Sequence, residues 1–497
     1  MVFNSYIFIL FFGVVLFLHN LPFPWKVKKI NLLLASYLFY AAWNPPFILL
    51  LWLSTVVDYF VGKALYNQSN IHKKRLLLVI SLCGNLGMLC FFKYGAFLQD
   101  NFVQLVNTLG INFHPAKPNI ILPAGISFYT FTTLCYTIDM YRKESKPVGS
   151  LLDFSLFVTF FPHLVAGPIV RPPQLVPQFE SPHRATKQQL LEGLFLLSLG
   201  LFMKVTLADS MLAASANTVY GTPTPLTALD AWMGTLAFAG QIFLDFAGYS
   251  TCAIGAALCL GFVLPLNFRW PYGAISFSDF WRRWHITLSA WLRDYLYIPL
   301  GGNRKGRPRT YMNLMVTMLL GGLWHGANWT FVAWGALHGL YLWVEKFFTD
   351  KKKTTPTLVI PTAAGDGIPE SGPVMAKPAT RPKPFMGGLP YVLLTFLLVN
   401  ITWVFFRAST FSGAGHLLSS MFGFVQNGRP LLSTLALIKI SVIILALIIL
   451  HWRLRDMRLV DIIYRLPWWG LGSLWACMLI LLILSQESTS TFIYFQF

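Results

Sequence analysis

Charge is what this sequence is short of. Asp, Glu, Lys and Arg make up only 11% of its 497 residues, against about 25% in an ordinary soluble protein. Hydrophobic residues reach 55% and aromatics 16%, and the mean hydropathy is +0.58. That little charge cannot wet the outside of a globule, so single-domain soluble enzymes, nucleic-acid modules and disordered tails are excluded, and the bilayer is the solvent. Acidic groups are the scarcer sign, 19 against 38 basic ones, for a formal charge of +19. Cytoplasmic loops of membrane proteins collect such an excess, so it calls for no nucleic-acid partner.

Cysteine chemistry is also missing. The six cysteines lie in apolar runs without a CxxC or a Cys/His cluster, which indicates neither disulfides nor a metal site. No basic residue precedes Lys26 and no small-residue cleavage pattern follows, so the first segment reads as an uncleaved span. There is no internal repeat of the kind secondary transporters carry.

What is present is a series of long apolar runs. A span needs about 20 such residues. Met1–Trp25, Leu76–Phe92, Phe246–Phe268, Gly387–Phe406 and Trp468–Gln486 qualify, and Thr310–Val344 is long enough for two passes. Ile30–Val57 is broken by Asn44-Pro45-Pro46 and reads as a tight hairpin of short tilted helices. Interruptions around Pro123 and Pro162 read as re-entrant, which needs shielding by protein or water. Basic clusters at Lys26–Lys29, Lys63–Arg75, Arg142–Lys146, Arg269–Arg309, Lys351–Lys353 and Arg453–Arg465 all fit the cytoplasm if Ile30–Val57 is a hairpin and Phe154–Arg171 returns to its own side, and both termini then fall outside. The expected fold is an all-α polytopic membrane protein with about ten to twelve spans plus re-entrant and interfacial helices. Three parts are expected: a core over 1–348, a flexible cytoplasmic linker over 349–386, and transmembrane helices with an aromatic tail over 387–497.

Polar groups inside a membrane are costly and mark function. One concentration runs from Ser276 to Tyr297. At 100° per residue Phe280, Trp281, Trp284, Leu288, Trp291 and Tyr295 share a face, opposite Arg282, Ser289 and Arg293, with His285 at the edge. Alone, this predicts an interfacial helix in which His285 is merely hydrogen-bonded. The second is Gly321-Gly-Leu-Trp-His-Gly-Ala-Asn-Trp329. Its small residues admit a close neighbour or a thin substrate. His325 is either a packing histidine or, kept neutral by desolvation, a base. His338 reads as structural, and Asp245 as a helix-to-helix hydrogen-bonding group. Arg304, Lys305, Arg307 and Arg309 suit either a phosphate-bearing donor or positive-inside anchoring. The last residues, Phe492-Ile-Tyr-Phe-Gln-Phe497, are dense enough in aromatics to want an apolar recess; as six residues extend about 20 Å, they can fold back into a cavity, or else anchor the last helix at the interface.

Together these stretches resemble the membrane-bound O-acyltransferase superfamily in its alginate O-acetyltransferase-like branch. The likeness lies in PAGISFYTF (123–131), FPHLVAGPIVRPPQ (161–174), SFSDFWRRWHITLSAWLRDYLYIPLGGNRKG (276–306), GLWHGANWTFVAWGALHG (322–339) and FIYFQF (492–497). It implies a helical funnel with a central tunnel, in which His325 is the catalytic base and His285 orients the thioester or stabilises its oxyanion. Trp324, Asn328, Ser289, Arg282 and Asp245 are the lining candidates, and Tyr494 the candidate acyl relay. It further implies a bacterial inner-membrane enzyme that holds no cofactor and uses acetyl-CoA as donor substrate. A periplasmic SGNH-hydrolase-like acetyltransferase would be its partner in O-acetylating an exopolysaccharide such as alginate. D-alanyl export to teichoic acid is the runner-up. A channel or transporter is the reading from another class, and it would require paired ionisable residues along a pathway.

Overall fold

The computed structural model describes residues 1–351, 388–425, 427–485 and 492–493. Among these the regular elements are helices, with one isolated bridge between Leu226 and Arg429. Nearly all of the expected linker 349–386 lies outside the described residues. The chain divides into two compact units, Met1–Leu197 with Cys252–Pro265, and Ser198–Thr251 with Leu266–Phe497.

The first unit holds α1 (Tyr6–Asn20), α2 (Trp25–Ala41), α3 (Phe47–Asn67), α4 (Ile71–Thr108), α5 (Ile126–Arg142), α6 (Leu151–Thr159), α7 (Phe161–Leu164) and α8 (Pro172–Glu180). Side chains close the helix starts: Ser5 accepts from the Phe8 amide, Asn70 from those of His72 and Lys73, and Ser150 from that of Asp153. Each satisfies amides a helix start leaves open. The expected break at Asn44–Pro46 separates α2 from α3. However, α3 does not stop at Val57: it runs 21 residues to Asn67, about 32 Å at 1.5 Å per residue. Asp58 does not end it, because its carboxylate is buried and accepts from Ser81 (2.6 Å) and Asn85 (2.7 Å). Between α7 and α8 the non-helical backbone of residues 165–170 is buried in protein, the condition for loose backbone at membrane depth.

Two long helices, α9 (Lys187–Gly221) and α10 (Ala228–Cys259), contribute to both units. The second unit adds α11 (Phe277–Arg283), α12 (Ile286–Leu292), α13 (Gly306–His325), α14 (Trp329–Lys351), α15 (Leu389–Arg407), α16 (Phe411–Met421), α17 (Thr434–Leu454), α18 (Leu459–Ile463) and α19 (Trp468–Leu484). Its core is aromatic. Trp284, Trp334 and Trp403 are fully buried, with Phe243, Tyr272 and Phe406 around them.

Six described helices are long and apolar enough to cross a membrane: α3, α4, α9, α10, α15 and α17; α1 and α19 are shorter apolar helices. The run expected over Phe246–Phe268 is not one span: its first part is the second half of α10, which starts at Ala228 and ends at Cys259, and the rest is non-helical chain that begins with a turn through Gly261 at φ +89°.

Candidate functional site

The expected continuous helix over 276–297 is broken in two. Trp284 leaves helical geometry, and His285 takes a left-handed conformation at φ 43°, ψ 55° before α12 begins. A non-glycine residue rarely sits there and needs surroundings that enforce it. Two backbone hydrogen bonds do so, one on each side of the break: the Arg269 amide donates to the Arg283 carbonyl and the Ile286 amide to the Asn267 carbonyl, each 2.9 Å. The Asn267 side chain also accepts from the Thr287 hydroxyl at 3.0 Å. Ahead of the break, Ser276 caps α11 and Arg283 bonds Asp279 at 2.8 Å, while Arg455 reaches the same carboxylate at 2.9 Å. This pinning turns Phe280, Trp284 and Leu288 into core residues, each 1% exposed. They do not form the lipid-facing stripe that a helical period suggests.

His325 is the last residue of α13; Gly326 leaves the helix in extended conformation (φ −161°, ψ 152°) and leads to α14. The glycines serve that hairpin. A Cβ on Gly322 would stand 2.3 Å from the Phe331 carbonyl oxygen, and one on Gly335 would stand 2.3 Å from that of Met318. At Gly326 a Cβ would meet the Phe331 ring at 2.1 Å. The close neighbour that these small residues admit is therefore the backbone and side chains of the following helix.

The two pinned segments bring the histidines together. Their ring centroids are 6.5 Å apart. Trp324 lies 5.7 Å from the His285 ring and 5.0 Å from the His325 ring. Phe246 packs edge-on against His285 at 4.7 Å, and Trp334 and Phe406 against His325 at 5.1 and 5.2 Å. His285 is 0% and His325 3% exposed. Two imidazoles at this spacing can both come within hydrogen-bond reach (~2.6–3.2 Å) of one small group set between them. The aromatic walls exclude water from such a group.

The other sequence candidates fall elsewhere or play local parts. Trp324 flanks both rings, as described. Asn328 bridges the turn: its amide donates to the Ser409 carbonyl at 2.8 Å, and its oxygen caps α14 through the Thr330 amide at 3.0 Å. Ser289 donates to the Trp284 carbonyl at 3.2 Å, which ties α12 to the break. Arg282 lies on α11, half-buried. Tyr494 lies outside the described residues. His338 is buried and pairs with the Thr402 hydroxyl at 3.0 Å, in keeping with a structural role.

Asp245 does link two helices, but as an ion pair. Its carboxylate pairs with Lys204 of α9 at 2.8 Å, and Lys204 also pairs with Asp209 at 2.9 Å; all three are buried. Sequence reasoning passed over Lys204 and Asp209. Their signal was a Lys and an Asp five apart in the otherwise uncharged Phe202–Ala213, where lone charges are costly unless paired.

Comparison with known proteins covers both histidines. Residues 138–358 match the sequence model described as MBOAT, membrane-bound O-acyltransferase family. A Pseudomonas aeruginosa protein named probable alginate O-acetylase AlgI is 42% identical over 85% of this chain and 75% of its own length. The peptidoglycan O-acetyltransferase of Helicobacter pylori is 37% identical over 80% of this chain and 74% of its own. A teichoic acid D-alanyltransferase of Streptococcus thermophilus is 32% identical over 46% of this chain and 58% of its own.

Proposed function

Because this chain belongs to the membrane-bound O-acyltransferase family, in its alginate O-acetylase-like branch, and is therefore a multi-pass membrane acyltransferase, we propose that it exports acetyl groups. The donor substrate is cytosolic acetyl-CoA and the destination a hydroxyl of an exopolysaccharide such as alginate. The host membrane is the bacterial inner membrane, with both chain termini on the periplasmic side. A periplasmic acetyltransferase of the SGNH-hydrolase type completes the transfer.

An alcohol is a poor nucleophile until a positioned base takes its proton. His325 takes that proton as the hydroxyl oxygen attacks the thioester carbonyl. The new C–O bond forms, the C–S bond breaks, and the proton leaves with the thiolate. His285 faces the same centre, where it orients the thioester or donates to the oxyanion. Tyr494 is the proposed first acceptor, passing the acetyl group on to the partner. The observation that carries this reading is the meeting of two sequence-distant imidazoles at 6.5 Å inside a water-excluding aromatic wall. O-acetyl transfer is favoured over D-alanyl transfer because the relatives named for O-acetylation align over 80–85% of this chain, against 46% for the teichoic-acid relative.

Purified protein in detergent, given radiolabelled acetyl-CoA, tests it. Wild type should consume thioester and His325→Ala should not; equal consumption by both would refute the base assignment. Tyr494→Phe should abolish acetylation of the polysaccharide in cells, and unchanged acetylation would refute the relay alone.

A further inference from the structure

Lys204, Asp209 and Asp245 carry no step of the acyl transfer described above. Over Phe202–Ala213, α9 widens into a π-helix, a winding that is rare and recurs at functional sites. Residues five apart share a face there, so Lys204 and Asp209 meet at 2.9 Å, and Lys204 reaches across to Asp245 of α10 at 2.8 Å. Two carboxylates on one ammonium leave an excess of acceptors in apolar surroundings, where each needs a donor. The second oxygen of Asp245 receives one from far along the chain: the Ile493 amide donates to it at 2.8 Å, fully buried. Phe492 and Ile493 are themselves 3% and 1% exposed. The Phe492 ring packs on Tyr249 at 4.7 Å and lies 6.1 Å from Phe246, and Phe246 packs on His285 at 4.7 Å.

We infer that Asp245 is a positioning residue. Held by Lys204 and Asp209, it anchors the stretch Phe492–Ile493 to α10, one aromatic ring from His285. The triad is thus a docking site for a segment of the chain itself, recognised by one backbone amide and one aromatic side chain. Its value to catalysis rests on the proposed role of the aromatic tail, but the docking does not. The two therefore fail separately.

Hydrogen exchange on the full-length protein in detergent reads the docking directly. In wild type the peptide containing 492–493 should be protected. Asp245→Ala should remove about tenfold or more of that protection, the size of a hydrogen bond to a charged group, while peptides of Gly306–His325 stay protected. Asp245→Asn keeps an acceptor oxygen and should restore most of it. In transfer assays Asp245→Ala should lower kcat with the KM for acetyl-CoA unchanged. Ile493→Pro removes the donor by a change confined to the tail, where it also alters the buried side chain and the backbone at 492–493, and it leaves the ion triad whole, so it should reproduce the loss of transfer even where Asp245→Ala fails to fold. A 492–493 peptide already unprotected in wild type, or still protected in Asp245→Ala, would overturn the docking. Docking confirmed together with wild-type transfer in Ile493→Pro would overturn the tail's part in catalysis.

Discussion

Gly322→Ala probes the packing that holds His325. A Cβ at this position would lie 2.3 Å from the Phe331 carbonyl oxygen and 3.1 Å from Gly335 Cα, where ordinary contact begins at 3.4 Å. The shortfall against Phe331 is about 1.1 Å, and both clashing atoms are backbone, so no side chain can turn aside. α13 and α14 must part by roughly that amount. His325 ends α13 one turn beyond the clash, and Trp334, which packs on its ring, is carried by α14. Overpacking of this kind costs about 1–3 kcal/mol, so the protein should still fold. A misplacement of about 1 Å at a reacting group, however, lowers rate by around 100-fold. Steady-state acetyl transfer by purified protein, alongside thermal unfolding, should therefore show activity falling far more than stability. Gly84→Ala, with nothing within 4 Å of its added Cβ, is the control and should be silent. Full activity in Gly322→Ala would refute the claim that this hairpin fixes the imidazole.

Three further outcomes follow from the same contacts. Lys204→Ala leaves Asp209 and Asp245 buried without their shared cation and should destabilise the protein by about 3–5 kcal/mol, seen as a lowered Tm; an unchanged Tm would show that the triad is not under strain when broken. Asn267→Ala removes the acceptor for the Thr287 hydroxyl and should cost about 1–3 kcal/mol, with a loss of acetyl transfer larger than the loss of stability because the His285 break loosens. Ser289→Ala deletes a single hydroxyl bond to the Trp284 carbonyl and should cost about 1 kcal/mol with kcat within a few-fold of wild type; a loss as deep as that of His285→Ala would make Ser289 part of the chemistry.

Parts of the molecule legible in the sequence are those decided by near neighbours. Asn44-Pro45-Pro46 stops a helix wherever it occurs, and the break stands between α2 and α3. The glycines around His325 announced a close approach, although the partner is the next helix of the same hairpin. The break at His285 was not legible. Every residue from Phe277 to Tyr297 fits a helical period, and the left-handed turn is imposed by Asn267 and Arg269, which lie before α11. α9 and the first half of α10 do not show as uncharged runs, because Lys204, Asp209 and Asp245 interrupt them and Lys204 and Asp245 find each other only once the two helices pack. Asp58 in α3 likewise finds its partners in another helix, here the neutral donors Ser81 and Asn85 of α4.

The central claim is that His285 and His325 act on one reacting carbon. Thioester consumption by His285→Ala, His325→Ala and the double variant, each purified and checked for fold, tests it most directly. Groups that work as a unit lose no more together than the worse one loses alone, so the double variant should match His325→Ala. Losses that multiply in the double variant, as independent sites require, would contradict it.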